Sequence, residues 1–190
     1  MAIKRLLIFI SGSGSNARRL IEEFKTDSKV SIIGVVSSKL NSEMETFCQV
    51  NEVPFQTNSF QDAEDYLEIA QEFRPDFIIL AGFLKKIPVE LIQKFPRQIF
   101  NIHPSLLPKF GGKGMYGIHV HEAVLAANEK ETGITIHIVN EEFDKGEHLA
   151  QFRTAVAENE TVQSLQAKIQ ELEHLNFGKV IRNAIKNMYD

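Results

Sequence analysis

A carboxamide, an imidazole and a hydroxyl stand at alternate positions in Phe100-Asn101-Ile102-His103-Pro104-Ser105-Leu106-Leu107-Pro108, where an apolar run breaks. The Pro104 ring clashes with helical geometry in the residue before it, so His103 is held extended. On an extended chain residues two apart point to the same side, and Asn101 and His103 therefore face one way. Two such donors suit a carbonyl oxygen that is becoming negative, which is the task of acyl transfer. A Ser105, His103, Asp144 triad is a second arrangement, weakened because Ser105 lies too close to His103 in the chain for easy in-line geometry.

A second chemical segment is Ser11-Gly12-Ser13-Gly14-Ser15-Asn16, between an apolar strand and an amphipathic helix. Small residues let the backbone approach a ligand, and the amides at a helix start favour an anion, with phosphate the natural guest. A plain strand-to-helix turn with a serine or asparagine cap is the simpler reading. Gly12, Gly14 and Ala17 also fit the dinucleotide spacing G-x-G-x-x-G/A, although Ser37-Ser38-Lys39 stands where a NAD site wants an acid. An NADP site tolerates that. The Walker spacing and the esterase elbow G-x-S-x-G both fail.

The third is the acidic turn Asn140-Glu141-Glu142-Phe143-Asp144-Lys145-Gly146. Glu141 and Glu142 read as solvated. Phe143 is expected to draw Asp144 inward, where a carboxylate beside an imidazole raises its pKa and relays protons. His119 and His121, two apart, do not share a helix face. His137 lies on an alternating strand and is expected to face inward. No ligand spacing among these histidines supports a metal site.

These segments must be held by an alternation of strands and helices. Strands are expected at 6–10, 30–36, 53–56, 77–81 and 99–102, with helices at 16–25, 43–50, 62–72 and 88–94, the last with proline in its first turn. The fully apolar Phe77–Ala81 fits the middle of a parallel sheet. Residues 104–117 form an irregular loop with four glycines. A helix at 119–128, alternating strands at 133–139 and 148–156, and a long helix at 162–187 complete the chain. The class is α/β: doubly wound, with a mostly parallel central sheet, a mixed C-terminal part and a long C-terminal helix.

The totals agree. A chain of 190 residues, 43% hydrophobic and 24% charged, is expected to fold as one soluble domain spanning residues 1–190. A net charge of −4 argues against a general nucleic-acid binder, while Arg18-Arg19 and Lys85-Lys86 can still meet an anionic small molecule. The single cysteine, Cys48, excludes an internal disulfide and reads as a small buried hydrophobe. The apolar run at 6–10 is too short for a signal peptide or membrane span, so a cytoplasmic location is expected.

Ile10-Ser11-Gly12-Ser13-Gly14-Ser15-Asn16, Leu80-Ala81-Gly82-Phe83-Leu84, the Asn101–Pro108 block and Phe143-Asp144-Lys145-Gly146 occur in this order. Together they resemble the phosphoribosylglycinamide formyltransferase family, folate-dependent enzymes of purine synthesis. The resemblance runs from the first strand to Glu173-His174. It implies transfer of a formyl group from the co-substrate 10-formyltetrahydrofolate to the amine of 5-phosphoribosylglycinamide in de novo purine biosynthesis, by direct attack through a tetrahedral intermediate and with no metal. Gly14, Ser15 and Asn16 would hold the ribose phosphate. Asn101 and a protonated His103 would bind the formyl oxygen, and Asp144 would support His103 and shuttle protons through a water. Leu84, Lys85, Lys86, Ile87, Asn101 and Asn140 would line the folate site. Glu173, by itself a helix-surface acid, would meet the glycinamide amine. The implied partners are small molecules, with no nucleic acid and no membrane, acting on a monomer or homodimer.

Several positions depart from the family pattern. Lys85 stands where arginine is common. Phe60–Tyr66 lacks an arginine for the folate glutamate tail, Asn176-Phe177-Gly178 replaces Tyr-Pro, and the Gly111–Gly117 loop is longer than usual. A methionyl-tRNA formyltransferase would be expected to carry a further basic domain, and a formyltetrahydrofolate hydrolase an added N-terminal domain. An NADP-binding reductase or other nucleotide-binding module would use the Gly12–Gly14 loop alone and leave Asn101 and His103 without a task. On the acyl-transfer reading, NADPH mixed with the protein and candidate carbonyl substrates shows no loss of nicotinamide absorbance; steady oxidation would favour the reductase.

Overall fold

The computed structural model of the protein describes residues 2–189. Its elements are, in order, β1 (Lys4–Ile10), α1 (Ser15–Phe24), β2 (Val30–Ser37), α2 (Ser42–Val50), β3 (Phe55–Thr57), α3 (Ala63–Phe73), β4 (Phe77–Leu80), α4 (Val89–Lys94), β5 (Ile99–His103), α5 (Ile118–Ala126), β6 (Glu131–Ile138), β7 (His148–Ala155) and α6 (Val162–Tyr189). The strands form a sheet in the order β3-β2-β1-β4-β5-β6-β7. β1 runs parallel to β2 and β4, β2 runs parallel to β3, and β6 and β7 are antiparallel. This is the expected mostly parallel sheet with a mixed C-terminal part. The chain packs as two compact units, Met1–Phe100 and Asn101–Asp190.

In the first unit, Leu6–Ile10 of β1 and all of β4 are buried, as strands covered on both faces must be. α1 turns Asn16, Ala17, Leu20, Ile21 and Phe24 inward, a helical stripe. The strand order reverses direction between β1 and β4, the point where open α/β sheets leave a crevice at the carboxyl ends of their strands. Hydrogen bonds hold both edges of that crevice. The Ser11 amide donates to the Gly82 carbonyl at 3.0 Å, and Ser11 Oγ accepts from the Leu84 amide at 3.0 Å and from Ser38 Oγ at 2.7 Å. Asn41 caps α2 by accepting from the Met44 amide and ties it to the glycine loop by donating to the Gly12 carbonyl at 2.9 Å. Pro88 precedes α4 as its extended cap rather than occupying its first turn, because the last non-helical residue before the helix already suits the ring.

In the second unit, α6 packs against α5, β6 and β7. Leu165, Ile169, Phe177, Ile181 and Ile185 lie on its buried stripe. The apolar–polar alternation read along 133–139 does not carry over into burial on β6. Thr132 to Ile138 are buried without alternation, since α6 packs on the strand and the polar members Thr135 and His137 are absorbed by hydrogen bonds. Gly133, paired with Arg153, has no room for a side chain: a Cβ would sit 1.9 Å from the Phe152 carbonyl oxygen. Gly133→Ala is therefore expected to lower the unfolding free energy by about 2–4 kcal/mol in urea titration. Gly12→Ala, where nothing lies within 4 Å, is expected to change it by less than about 0.5 kcal/mol.

Candidate active site

The second unit gathers Asn101, His103, His137 and Asp144. Asn101 and His103 end β5, His137 lies on β6, and Asp144 stands in the turn between β6 and β7. The strand pairing expected of Asn101 and His103 is present, since both reach the same carboxylate. Asn101 Nδ2 donates to Asp144 Oδ1 at 3.5 Å, and His103 Nδ1 lies 3.5 Å from Asp144 Oδ2. His137 Nε2 is 3.6 Å from Asp144 Oδ1 and 3.1 Å from Asn101 Nδ2. Both rings are buried. The sequence reading left His137 without a role; its inward position on a strand rich in buried polar residues is the signal that finds it.

What turns Asp144 inward is not Phe143, which is 39% exposed. Asp144 adopts a left-handed backbone (φ 58°), a conformation aspartate tolerates better than most residues. Its Oδ2 accepts the Gly112 amide at 2.9 Å. A hydrogen bond inside the site therefore replaces the apolar anchor expected from the sequence. The rest of the turn is closed by Asn140, which accepts from the Glu142 amide and donates to the Lys145 carbonyl.

The long glycine loop supplies a second contact. The Phe110 carbonyl accepts from His103 Nε2 at 2.8 Å. Phe110 also has a left-handed backbone (φ 55°), the kind of local strain that surrounding structure must over-determine. A buried network does so: Thr135 Oγ1 accepts from the Leu107 amide at 3.0 Å and donates to the Ser105 carbonyl at 2.7 Å. Gln151 Nε2 donates to Thr135 Oγ1 and to the Leu107 carbonyl, both at 2.9 Å. Ser105 is fully buried and its hydroxyl donates to the Lys109 carbonyl at 2.6 Å, so it braces the loop and is not a nucleophile.

Electrostatics separate the groups. Burial, helped by the nearby His137 ring, holds His103 below its ordinary 6.5 against the upward pull of Asp144 and the Phe110 carbonyl. Its Nε2 hydrogen is directed at the Phe110 carbonyl, and its Nδ1 faces the Asp144 carboxylate. Burial alone would raise Asp144, but the His137 ring, the His103 ring and the Gly112 amide together hold its carboxyl below 3.8, so it is ionised. His121 on α5 is buried, its Nδ1 has no hydrogen-bond partner, and burial followed by the nearby His103 lowers it. An ionised carboxylate beside two N–H donors can accept a proton from an attacking group while the donors receive an oxyanion.

The other expected site residues divide between the units. Gly14 opens α1 with a φ of 79°, and a Cβ there would meet Met44 Sδ at 2.8 Å, so glycine is required both by backbone and by packing. Ser15 and Asn16 form the first turn of α1, an end that favours an anion. Leu84, Lys85 and Lys86 are exposed; the Leu84 amide is held by Ser11, and the Lys86 carbonyl accepts from the Tyr66 hydroxyl at 3.1 Å. Ile87 is buried in the core, so it anchors this segment and does not present its side chain outward. Glu173 is half-buried, four residues from both Ile169 and Phe177 on the inward stripe of α6, which corrects its reading as a surface acid. Cys48 is buried, and burial pushes its thiol up to about 11, which makes it inert. Among the described residues no cluster of three His, Cys, Asp or Glu side chains could hold a metal, and no helix is long and apolar enough to cross a membrane.

The depressed groups set a pH dependence. A lowered imidazole means that the unfolded chain binds the proton more tightly, so the stability tied to His103 and His121 is whole above 6.5 and lost as pH falls below it. The contribution of Asp144 persists to lower pH and is lost below 3.8. The urea midpoint is expected to hold steady above about pH 7 and to fall between about pH 6.5 and 5, with a shallower fall in His103→Gln. A midpoint that rises on acidification contradicts this assignment.

Residues 4–181 match the formyl transferase family. The chain is 39% identical over 188 residues to the chloroplastic phosphoribosylglycinamide formyltransferase of Arabidopsis thaliana, covering 94% of this chain and 64% of that protein. It is 41% identical over 188 residues to its counterpart from Vigna unguiculata, covering 94% and 60%. The chain thus spans less than two thirds of the length of these plant relatives. The crystal structure of phosphoribosylglycinamide formyltransferase from Anaplasma phagocytophilum superimposes with a TM-score of 0.87 at 30% identity, covering 97% of this chain and 89% of that one. On the match across both compact units and on this shared fold, the chain belongs to the formyl transferase family, among the phosphoribosylglycinamide formyltransferases.

Proposed function

We propose that the protein transfers the formyl group of 10-formyltetrahydrofolate to the primary amine of 5-phosphoribosylglycinamide in purine synthesis. The observation that carries this reading is the ionised Asp144 carboxylate set within 3.5 Å of the Asn101 carboxamide and the His103 ring. Family membership supports it. In the proposed reaction the amine lone pair forms the new C–N bond while the carbonyl pair moves to oxygen. Asn101 and the His103 Nε2 hydrogen, held at rest by the Phe110 carbonyl, stabilise the oxyanion; one such donor is typically worth about 10²–10³-fold in rate. Asp144 takes the amine proton through a water molecule, and the proton passes to N10 of the folate as the C–N10 bond breaks. Holding two bulky substrates together supplies much of the remaining acceleration.

On the same reading Gly14, Ser15 and Asn16 bind the ribose phosphate, Leu84, Lys85, Lys86 and Asn140 border the folate with Ile87 as their anchor, and Glu173 meets the glycinamide amine. The two units act as one formyltransferase domain. The net charge of −4 favours small-molecule substrates over nucleic acid, and the protein is read as a cytoplasmic monomer or homodimer without a membrane role. The reductase alternative explains the glycine loop but gives the Asp144 cluster no task.

The decisive assay measures formyl transfer with both substrates beside a hydrolysis control. Asp144→Asn is expected to lower kcat by about 10²–10⁴-fold, with both ligands still binding in calorimetry. Near-normal turnover in that variant would remove Asp144 from the reaction.

A further inference from the structure

His137 is buried at 2% exposure and takes no part in the proton path proposed above. Its Nδ1 lies 3.0 Å from the Ile138 carbonyl oxygen, an acceptor only, so Nδ1 carries the ring hydrogen. With the ring hydrogen on Nδ1, Nε2 is an acceptor, and the group facing it is Asn101 Nδ2 at 3.1 Å. This contact also settles the orientation of the carboxamide. A flipped amide would put its oxygen against the Nε2 lone pair and against the Asp144 carboxylate.

Asn101 Nδ2, His137 Nε2 and Asp144 Oδ1 form a nearly equilateral triangle, with sides of 3.1, 3.5 and 3.6 Å. Seen from the amide nitrogen, the two acceptors are about 60° apart. The two hydrogens of a carboxamide diverge by about 120°. One hydrogen is therefore directed at the acceptor pair, mainly at the nearer His137, and the other is turned away from both.

We propose that His137 is a positioning residue: its Nε2 takes one hydrogen of the Asn101 carboxamide and so aims the second at the formyl oxygen. The assignment rests on the formyl-transfer reading. Without that acceptor only the longer 3.5 Å contact to Asp144 Oδ1 opposes a flipped amide, which would present oxygen to an oxyanion. The close packing that holds the ring is visible at Gly146, where a Cβ would stand 3.2 Å from His137 Nδ1.

The test compares His137→Leu, which removes the acceptor, with His137→Gln, which keeps one. His137→Leu is expected to lower kcat by about 10–100-fold, with each KM within about twofold, and His137→Gln to recover most of the loss. In an Asn101→Ala background His137→Leu is expected to cost less than about twofold, because the group it orients is gone. A full additional loss in that background overturns the proposal, as does a loss in KM alone. A spectroscopic arm uses the wild-type protein. ¹⁵N-labelled histidine must show His137 protonated at Nδ1 and bare at Nε2, and the opposite tautomer refutes the assignment even if the leucine variant does not fold. Absence of formyl transfer by the wild-type protein would instead remove the activity reading and leave the nitrogen spectra to judge the geometry.

Discussion

A largely buried carboxylate is tolerable only where donors surround it, and the second unit is arranged around that requirement at Asp144. Its two oxygens receive the Gly112 amide and the Asn101 carboxamide and lie beside two imidazoles. Those partners come from a glycine loop, the end of one strand and the middle of another. Each is held in turn: Phe110 by the Thr135–Gln151 network, Asn101 by His137, and His137 by its own backbone neighbour. Removal of a member leaves a largely buried polar group short of a partner, at a cost in stability.

The same burial divides the charges. It lowers the imidazole of His103, while the surrounding donors keep Asp144 ionised. The imidazole and the carboxylate thus shift in the same direction for different reasons, desolvation in one case and surrounding donors in the other. The Gly111–Gly117 segment begins directly after the Phe110 carbonyl that His103 Nε2 contacts, and the amide of its second residue, Gly112, donates to Asp144.

Much of this was legible in the chain. The apolar runs, β-branched strands and amphipathic helices place nearly every element within a few residues, because local periodicity reports directly on which side chains are hidden. Asn101 and His103 share a side because alternation on a strand is a local property. Less legible were the features that depend on distant partners. The alternation of β6 does not tell which of its polar residues are buried; Thr135 can be so because Ser105, Leu107 and Gln151 satisfy it. Glu173 reads as a surface acid until Ile169 and Phe177 are seen buried on either side of it.

The sequence by itself determined the strand–helix order, the glycine turn after β1 and the pair of donors before Pro104, all set by steric and hydrophobic rules that act over a few residues. Only the tertiary structure decided that Asp144 turns inward by a hydrogen bond to Gly112 rather than by the burial of Phe143, that burial lowers the His103 imidazole, and that His137 completes the cluster. Those outcomes depend on desolvation and on hydrogen bonds between residues tens of positions apart, and neither quantity exists until the chain has closed around them.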